Sequence, residues 1–289
     1  MKFVLHADGS ESGADTGVVV PWWSFTKTQI AALVLTLVRD RSVSLDDPLP
    51  DQPFSLRELL QHRAGLVDYG GLPAYHAAVA ADEDAWPLAH LLAQVAPLHA
   101  RATRGEFCYS NIGYALIRQH LEKVTGLSLQ ELLRDRLWSP LGLVGPTIAM
   151  QRDDLDAVRM GTARSYDPRW VYHGLAIGTL RDAALLLHGL LTSDLLPQNL
   201  RDEMCAGVPV GDPGAGRPWQ SAAYGLGMMT GLANNGMRVV GHTGGGPGSG
   251  IAVYRFSATS VTAAVFMSGT LASEAERETF ALGAEARMR

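Results

Sequence analysis

A serine and a lysine three residues apart, Ser24 and Lys27, begin the apolar segment 21–40, which reads PWWSFTKTQIAALVLTLVRD. Residues at this spacing lie on one face of a helix, so the hydroxyl and the amine can meet. A serine hydroxyl becomes a good nucleophile when a neighbouring base takes its proton. Lysine can be that base if burial disfavours its charged form, whereas arginine stays protonated. The pair therefore predicts nucleophilic catalysis; the alternative is a solvated serine and lysine on an ordinary first turn.

The use of lysine at position 27 is itself unusual for this chain. The sequence contains 24 basic residues, of which only Lys2, Lys27 and Lys123 are lysines. Because arginine fills almost every other basic position, the choice of the side chain that can lose its proton supports a chemical role for Lys27.

A second group of polar residues, Tyr109-Ser110-Asn111, occurs in GEFCYSNIGYALI just before a predicted helix. In a functional interpretation, Tyr109 shuttles a proton and the Asn111 amide donates to a substrate carbonyl. The alternative interpretation is structural: Ser110 or Asn111 caps the helix, and Tyr109 is a half-buried packing residue.

The third group is His242-Thr243-Gly244 in VVGHTGGGPGSGIAVY, where five of the seven residues from 244 to 250 are glycines. Such a strand lets a substrate approach the backbone and hydrogen-bond to it. A phosphate loop is excluded, because neither Gly-x-x-x-x-Gly-Lys-Ser/Thr nor Gly-x-Gly-x-x-Gly occurs. The sequence also lacks His-Glu-x-x-His and Gly-x-Ser-x-Gly, which argues against zincins and the usual α/β-hydrolases.

Taken in order, the segments Ser24–Lys27, Tyr109–Asn111 and His242–Gly244 resemble the three motifs of the penicillin-recognising serine hydrolases. The likeness is greatest to the branch of class C β-lactamases, D-alanyl-D-alanine carboxypeptidases and family VIII esterases. Segments 42–69 and 178–191 also resemble that branch, so the similarity extends from about residue 20 to 268.

The resemblance implies a mechanism without a metal or an organic cofactor. Ser24 would attack a carbonyl and form an acyl-enzyme, and Lys27 and Tyr109 would share the role of general base. The backbone N–H groups of Ser24 and Gly245 would form the oxyanion hole, and Asn111 would hold the amide or leaving side of the substrate.

In the same resemblance, His242, Thr243 and Gly244 would contact the carboxylate of the substrate or an equivalent group. His242 stands where the β-lactamases of this branch usually have lysine. At the usual histidine pKa of about 6.5, a quarter or less of such side chains would be charged at pH 7. The weaker anchoring of a carboxylate favours peptidase or esterase chemistry over efficient β-lactamase activity.

The composition restricts the partners. The chain has 289 residues, 47% of them hydrophobic, and a net charge of −5 without any basic run, which argues against nucleic acid. The apolar run 30–38 is too short for a membrane span, and the first residues do not resemble a signal peptide. We expect a cytoplasmic protein, or a periplasmic or secreted one if a leader has been removed.

The predicted elements are strands at both ends with helices between them. Strands 2–7 and 17–23 precede a buried helix over 24–40, and capped helices begin after Ser55, Ser128 and Thr179. Three late β-rich runs predict an antiparallel meander, which is followed by a closing helix over 272–288. We predict an α/β fold in which segments 1–44 and 161–289 form an antiparallel sheet flanked by helices.

Segment 45–160 is predicted as an inserted all-helical domain, with the site in the cleft between the two parts. The function expected is a serine hydrolase acting on a small ester or a D-amino-acid peptide. The alternatives are a β-lactamase, for which β-lactams are the substrates, and a catalytically quiet penicillin-binding sensor or scaffold.

Overall fold

The computed structural model describes residues 1–14, 17–163, 165–269 and 271–286. An antiparallel sheet is its largest element. Its strands are β1 (Lys2–Leu5), β2 (Glu11–Ala14), β6 (Val208–Pro209), β7 (Trp219–Tyr224), β8 (Met229–Ala233), β9 (Arg238–Gly246), β10 (Ser249–Phe256) and β11 (Thr262–Ser268), in the spatial order β2-β1-β11-β10-β9-β8-β7-β6. A smaller antiparallel sheet has the order β3-β5-β4, with β3 at Val20–Pro21, β4 at Thr147–Ala149 and β5 at Leu175–Gly178.

Helices surround these sheets. They are α1 (Thr26–Arg39), α2 (Leu56–Leu60), α3 (Pro73–Ala80), α4 (Leu88–Val95), α5 (Asn111–Thr125), α6 (Leu129–Leu133), α7 (Leu180–Thr192), α8 (Gln198–Cys205) and α9 (Ala272–Glu285). The predicted meander is confirmed, because β9, β10 and β11 pair antiparallel in sequence order. An antiparallel sheet flanked by helices also confirms the predicted fold class.

The central strand β10 separates two hydrophobic layers. Ile251 and Val253 belong to the large core that includes α1 and α7, whereas the intervening Ala252 and Tyr254 pack in a second core with Phe280 of α9. Successive side chains of a strand point to opposite faces. The sheet is therefore covered on one face by α9 and on the other by the rest of the helices that share its core.

Helix α1 lies inside the larger core. Every residue from Thr26 to Leu37 is buried, which confirms that this helix is enclosed rather than amphipathic. A helix enclosed on all sides holds any polar side chain in its first turn away from water, unless a cavity reaches it. Lys27 is such a side chain.

The predicted helix caps are confirmed in detail. Ser55, Ser128 and Thr179 each form a capping box with the acidic residue three positions later. Gly126 ends α5 with a φ of 71°, a left-handed conformation that favours glycine. Local hydrogen bonding thus sets where these helices begin and end. The last two positions of the predicted closing helix lie outside the described residues.

Several elements differ from the sequence prediction. Strand β2 lies in the predicted turn between the first two strands. Strands β6 to β8 lie outside every predicted element, because segments such as WQSAAY and MTGLA have few β-branched residues. The prediction that segment 45–160 is all helical is wrong for Thr147–Ala149, which pairs with distant Leu175–Gly178. The division of the chain into two domains stays a prediction.

Glycines in β9 let the turn that contains Ser24 lie against the sheet. A Cβ atom on Gly244 would be 2.6 Å from the Trp22 carbonyl oxygen and 2.8 Å from Trp23 Cβ. A Cβ atom on Gly246 would be 2.5 Å from the Trp23 ring. Only residues without a side chain fit here, so these glycines set the distance between β9 and Ser24.

We therefore expect Gly244→Ala to destabilise the protein by about 1–3 kcal/mol, the usual cost of forcing extra atoms into a packed contact. Denaturant-induced unfolding measures this change. Gly245→Ala is the matched control, because its nearest contact would be Ala272 Cβ at 3.2 Å. If both variants lost the same free energy of unfolding, the role given to the contact between β9 and the Trp22–Trp23 turn would be contradicted.

Candidate active site

Ser24 lies in a tight turn immediately before α1. The residues Trp23–Phe25 form a 3₁₀ turn, so Ser24 precedes the helix in which it was predicted to lie, and Lys27 is the second residue of α1. Trp23 has a φ of 43°, rare for a residue with a side chain. Its indole N–H donates to Ser249 Oγ at 3.1 Å, which ties this turn to β10.

Lys27 has no exposed surface, and its amine has polar neighbours on several sides. Its Nζ lies 2.9 Å from Ser24 Oγ, 2.6 Å from Asn111 Oδ1 and 3.4 Å from His173 Nε2. The rings of Tyr109 and Tyr114 lie 5.1 Å and 5.6 Å from the same nitrogen. The sequence prediction that the serine and the lysine meet is therefore matched by the geometry.

Burial controls the charge of Lys27. Removing the ammonium group from water lowers the pKa of Lys27 to about 7, against an opposing effect from the Asp68 carboxylate, which favours the ammonium form. A substantial fraction of Lys27 is therefore neutral near pH 7, and a neutral amine can accept a proton.

Tyr109 is a second side chain within hydrogen-bond distance of Ser24 Oγ. Its hydroxyl donates to Ser24 Oγ at 3.0 Å, and burial raises the pKa of Tyr109 above its usual range. The phenol therefore remains protonated at neutral pH and acts as a donor. The His62 ring packs against Tyr109 with the ring centroids 4.3 Å apart, which fixes the phenol in position.

Asn111 contacts Lys27 through its oxygen. Its amide nitrogen Nδ2 donates to Asp68 Oδ2 at 3.1 Å, and its backbone N–H donates to Asp68 Oδ1 at 2.9 Å. One Nδ2 hydrogen remains for another acceptor.

Ser110 is the residue before α5 but makes no side-chain cap. Its hydroxyl donates instead to the Val67 carbonyl oxygen at 3.1 Å. The purely structural capping role considered for this segment is thus not what the side chains do.

The third motif is arranged differently from the first two. His242 is buried, its Nε2 lies 2.8 Å from the Tyr224 hydroxyl, and its Nδ1 contacts the Thr243 carbonyl oxygen. Burial lowers the pKa of His242 to about 3, so the ring is neutral. The Thr243 hydroxyl contacts the Met229 sulfur at 3.7 Å. His242 is therefore unable to supply positive charge for a substrate carboxylate.

The glycines of β9 lie beside the turn that contains Ser24. Gly245 is exposed and shares a cavity of about 180 Å³ with Ser24. Gly244 packs under the Trp22–Trp23 turn and supports it from below. The cavity is lined by Trp23, Ser24, Tyr69, Gly70, Tyr75, Asn111, Tyr166, Val171, His173, Gly245, Gly246 and Pro247. None of these described lining residues is Asp, Glu, Lys or Arg.

A second cavity, of about 250 Å³, opens on the Tyr109 side. Its wall includes Asp212 and Arg217 together with Trp219. Arg217 is already paired with buried Glu276, to which it donates at 2.7 Å through Nε. The positive charge in this cavity is thus compensated by a carboxylate behind it.

Sequence reasoning missed three residues at the site, Asp68, His62 and His173. Asp68 and His62 lie within segment 42–69, which resembles the family but has no motif that assigns a role to either side chain. His173 follows a tyrosine in a loop and has no motif around it. Only the tertiary structure brings its ring to Lys27. Burial lowers the pKa of His62 and of His173 well below the usual histidine value.

Other types of site find little support in the part of the chain that the structure describes. No group of three or more His, Cys, Asp or Glu side chains there is arranged to hold a metal ion. None of its helices is long and apolar enough to cross a membrane. Cys108 and Cys205 are both free thiols.

Solved structures share this architecture. D-amino acid amidase from Ochrobactrum anthropi SV3 superposes with a TM-score of 0.80 at 21% identity, covering 99% of this chain and 94% of the amidase. A D-stereospecific amidohydrolase from Streptomyces sp. gives a TM-score of 0.75 at 24% identity, covering 91% and 87%. For the octameric penicillin-binding protein homologue from Pyrococcus abyssi, these values are 0.77 and 19%, covering 98% and 73%. At these identities the likeness is one of fold.

Sequence comparison gives one further relative and the family. A D-aminopeptidase from Cereibacter sphaeroides is 28% identical over 149 residues, a match that covers 45% of this chain and 26% of the relative, so the chain spans about a quarter of that protein's length. The family model described as Beta-lactamase matches residues 4–287. Together with the fold, this match over almost the whole length shows that the chain belongs to the Beta-lactamase family.

Proposed function

We propose that this protein is a serine hydrolase that forms an acyl-enzyme at Ser24. The observation that carries the proposal is that Ser24 Oγ contacts both a buried lysine and a half-buried tyrosine, at 2.9 Å from Lys27 Nζ and 3.0 Å from the Tyr109 hydroxyl. A nucleophile within hydrogen-bond reach of a base that is itself oriented by further groups is the arrangement that covalent catalysis requires.

The directions of the two pKa shifts assign the roles. Lys27 is the proton acceptor, because burial makes its neutral form accessible, and Tyr109 is the donor, because burial keeps its phenol protonated. A neutral amine has two N–H groups and one lone pair. With the N–H groups directed to Asn111 Oδ1 and His173 Nε2, the lone pair is left for the proton of Ser24.

The reaction then proceeds in two halves. Ser24 Oγ bonds to the substrate carbonyl carbon as its proton passes to Lys27, and the backbone N–H groups of Ser24 and Gly245 stabilise the oxyanion. Tyr109 delivers a proton to the leaving nitrogen or oxygen as its bond to carbon breaks, and it regains a proton from Lys27. Water hydrolyses the resulting ester by the reverse path and regenerates Ser24.

For the substrate, we propose D-amino-acid amides or short D-peptides and small esters. The D-aminopeptidase and the D-amino acid amidase named above support the D-amino-acid class. The cavity beside Ser24 adds a chemical preference. Its walls include one tryptophan and three tyrosines and carry no Asp, Glu, Lys or Arg among the described residues, which favours an uncharged group that can pack against aromatic rings.

Neutral, buried His242 argues against the β-lactamase alternative, because no charge at that position anchors a carboxylate. Penicillins should then acylate Ser24 slowly or leave it slowly. The quiet binder remains distinguishable by turnover, since a stalled acyl-enzyme releases one burst of product and stops.

The first test uses D- and L-phenylalanine p-nitroanilide together with a penicillin. We expect continuous release of p-nitroaniline from the D-enantiomer, at least about tenfold faster than from the L-enantiomer, a modest discrimination for a shaped pocket. Intact-protein mass spectrometry should show a persistent penicillin adduct. Both signals should be absent in Ser24→Ala. Product release or adduct formation by Ser24→Ala at the wild-type level would contradict the assignment of the nucleophile.

Replacing Lys27 by arginine tests its role as the base. Lys27→Arg keeps a positive charge but cannot accept a proton, so acylation should fall by about 10²–10⁴, the usual contribution of general-base catalysis. The rate of adduct formation is the measurement. Lys123→Arg, at an exposed position of α5, is the matched control and should acylate normally. Near-normal acylation by a folded Lys27→Arg protein would contradict the mechanism.

The burial of Lys27 also predicts a gain in stability for Lys27→Met. The pKa of Lys27 is lowered on folding, so wild-type protein bears the full cost of a buried ammonium below pH 7 and escapes it as the pH rises. The variant should be the more stable at pH 6, and its advantage should shrink by up to about 1.4 kcal/mol per pH unit above pH 7. Denaturant titrations at several pH values measure it; a constant difference would show that Lys27 does not titrate abnormally. Lys123→Met is the control.

A further inference from the structure

Asp68 has no place in the mechanism described so far, although it contacts one of its central residues. We propose that Asp68 is a positioning residue, which fixes the Asn111 amide with its oxygen toward Lys27 and thereby aims the Lys27 amine at Ser24. The inference deepens the proposed function and rests on it only where catalysis is measured.

The carboxylate selects one orientation of the amide. An ionised carboxylate only accepts hydrogen bonds, so the Asn111 side chain must present its NH₂ group to Asp68 and not its oxygen. The contact of Asn111 Nδ2 with Asp68 Oδ2 at 3.1 Å is of this kind. The backbone N–H of Asn111 donates to the other oxygen at 2.9 Å, so both oxygens of the carboxylate hold one residue.

Asp68 is itself held in place by its surroundings. It precedes a 3₁₀ turn at Tyr69–Gly71 and caps it, with Oδ2 accepting from the Gly70 backbone N–H at 3.2 Å. The Tyr69 hydroxyl donates to the Trp170 carbonyl oxygen at 2.8 Å, which anchors the turn to another part of the chain. The carboxylate is therefore a fixed reference point for the start of α5.

The selected orientation matters at Lys27. With the amide oxygen forward, Asn111 Oδ1 lies 2.6 Å from Nζ and accepts one of its hydrogens. The reversed amide would place a donor against a donor and would leave the amine free to rotate its lone pair away from Ser24. Asp68 thus acts on the nucleophile through two intervening side chains, without touching the reacting atoms.

Asp68 also bears on the charge of Lys27. The groups that face Nζ are Ser24, Tyr109, Asn111, Tyr114 and His173, and His62 and His242 lie close by. Burial lowers the pKa of all three histidines, so they are neutral. The Asp68 carboxylate favours the ammonium form of Lys27 and raises its pKa against the effect of burial.

The isosteric variant Asp68→Asn tests both consequences. The amide introduced by this substitution carries no charge and has an NH₂ group in place of one carboxylate oxygen. Because the two N–H groups of Asn111 donate to different oxygens of Asp68, one of them then faces a donor and loses its acceptor. Because the chain has only three lysines, lysine labelled with ¹³C at Cε gives three NMR signals, and Lys27→Met assigns that of Lys27. We expect the Lys27 titration midpoint to fall by about half a pH unit or more in Asp68→Asn. It should not move in the surface control Asp194→Asn.

Catalysis supplies the second readout. At pH 9, where Lys27 is largely neutral, Asp68→Asn should acylate about tenfold more slowly than the wild type. The double variant Asp68→Asn/Asn111→Ala should acylate as fast as Asn111→Ala alone, because Asp68 acts through Asn111. If Asp68→Asn does not fold, Asp68→Ser retains a cap and removes the charge. The inference would be overturned by an unchanged titration midpoint of Lys27 in Asp68→Asn. It would also be overturned if the rate reductions of Asp68→Asn and Asn111→Ala multiplied in the double variant. Wild-type protein that never acylates would overturn the proposed function instead, leaving the NMR test intact.

Discussion

The burial of one amine is the physical constraint on which the rest of the site depends. Lys27 has no exposed surface, and loss of hydration lowers its pKa to about 7. Such a group is costly as an ammonium, so the fold must enclose it and also supply hydrogen-bond partners for its neutral form. Ser24, Asn111 and His173 provide those partners. The proposed chemistry uses the same property that makes the lysine unfavourable for stability.

The architecture accounts for how this enclosure is built. Helix α1 is buried through Leu37, and Ser24, in the turn just before it, lines the cavity of about 180 Å³. On the sheet side, the glycines of β9 let the Trp22–Trp23 turn pack against the strand. On the helical side, the start of α5 brings Tyr109 and Asn111 to the same point. Three segments distant in sequence thus meet around Ser24 and Lys27.

Much of this could be predicted from the sequence, because local signals carry it. The spacing of Ser24 and Lys27, the capping boxes and the β-branched runs of the last strands each have a short-range physical cause. The contacts that orient the site are non-local. His173 reaches Lys27 from 146 positions away and Asp68 reaches Asn111 from 43, with no spacing rule to reveal either. The family resemblance led us to expect His242 at the carboxylate of the substrate, whereas in the structure its ring is buried against Tyr224 and burial lowers its pKa to about 3.

The most direct test of this account is the pH dependence of Ser24 acylation by an activated ester in single turnover. If neutral Lys27 takes the serine proton, the acylation rate should rise with pH, reach half of its maximum near pH 7 and level off above it. A rate that does not change between pH 5 and pH 9, or that keeps rising toward the usual lysine pKa of about 10.4, would contradict the account.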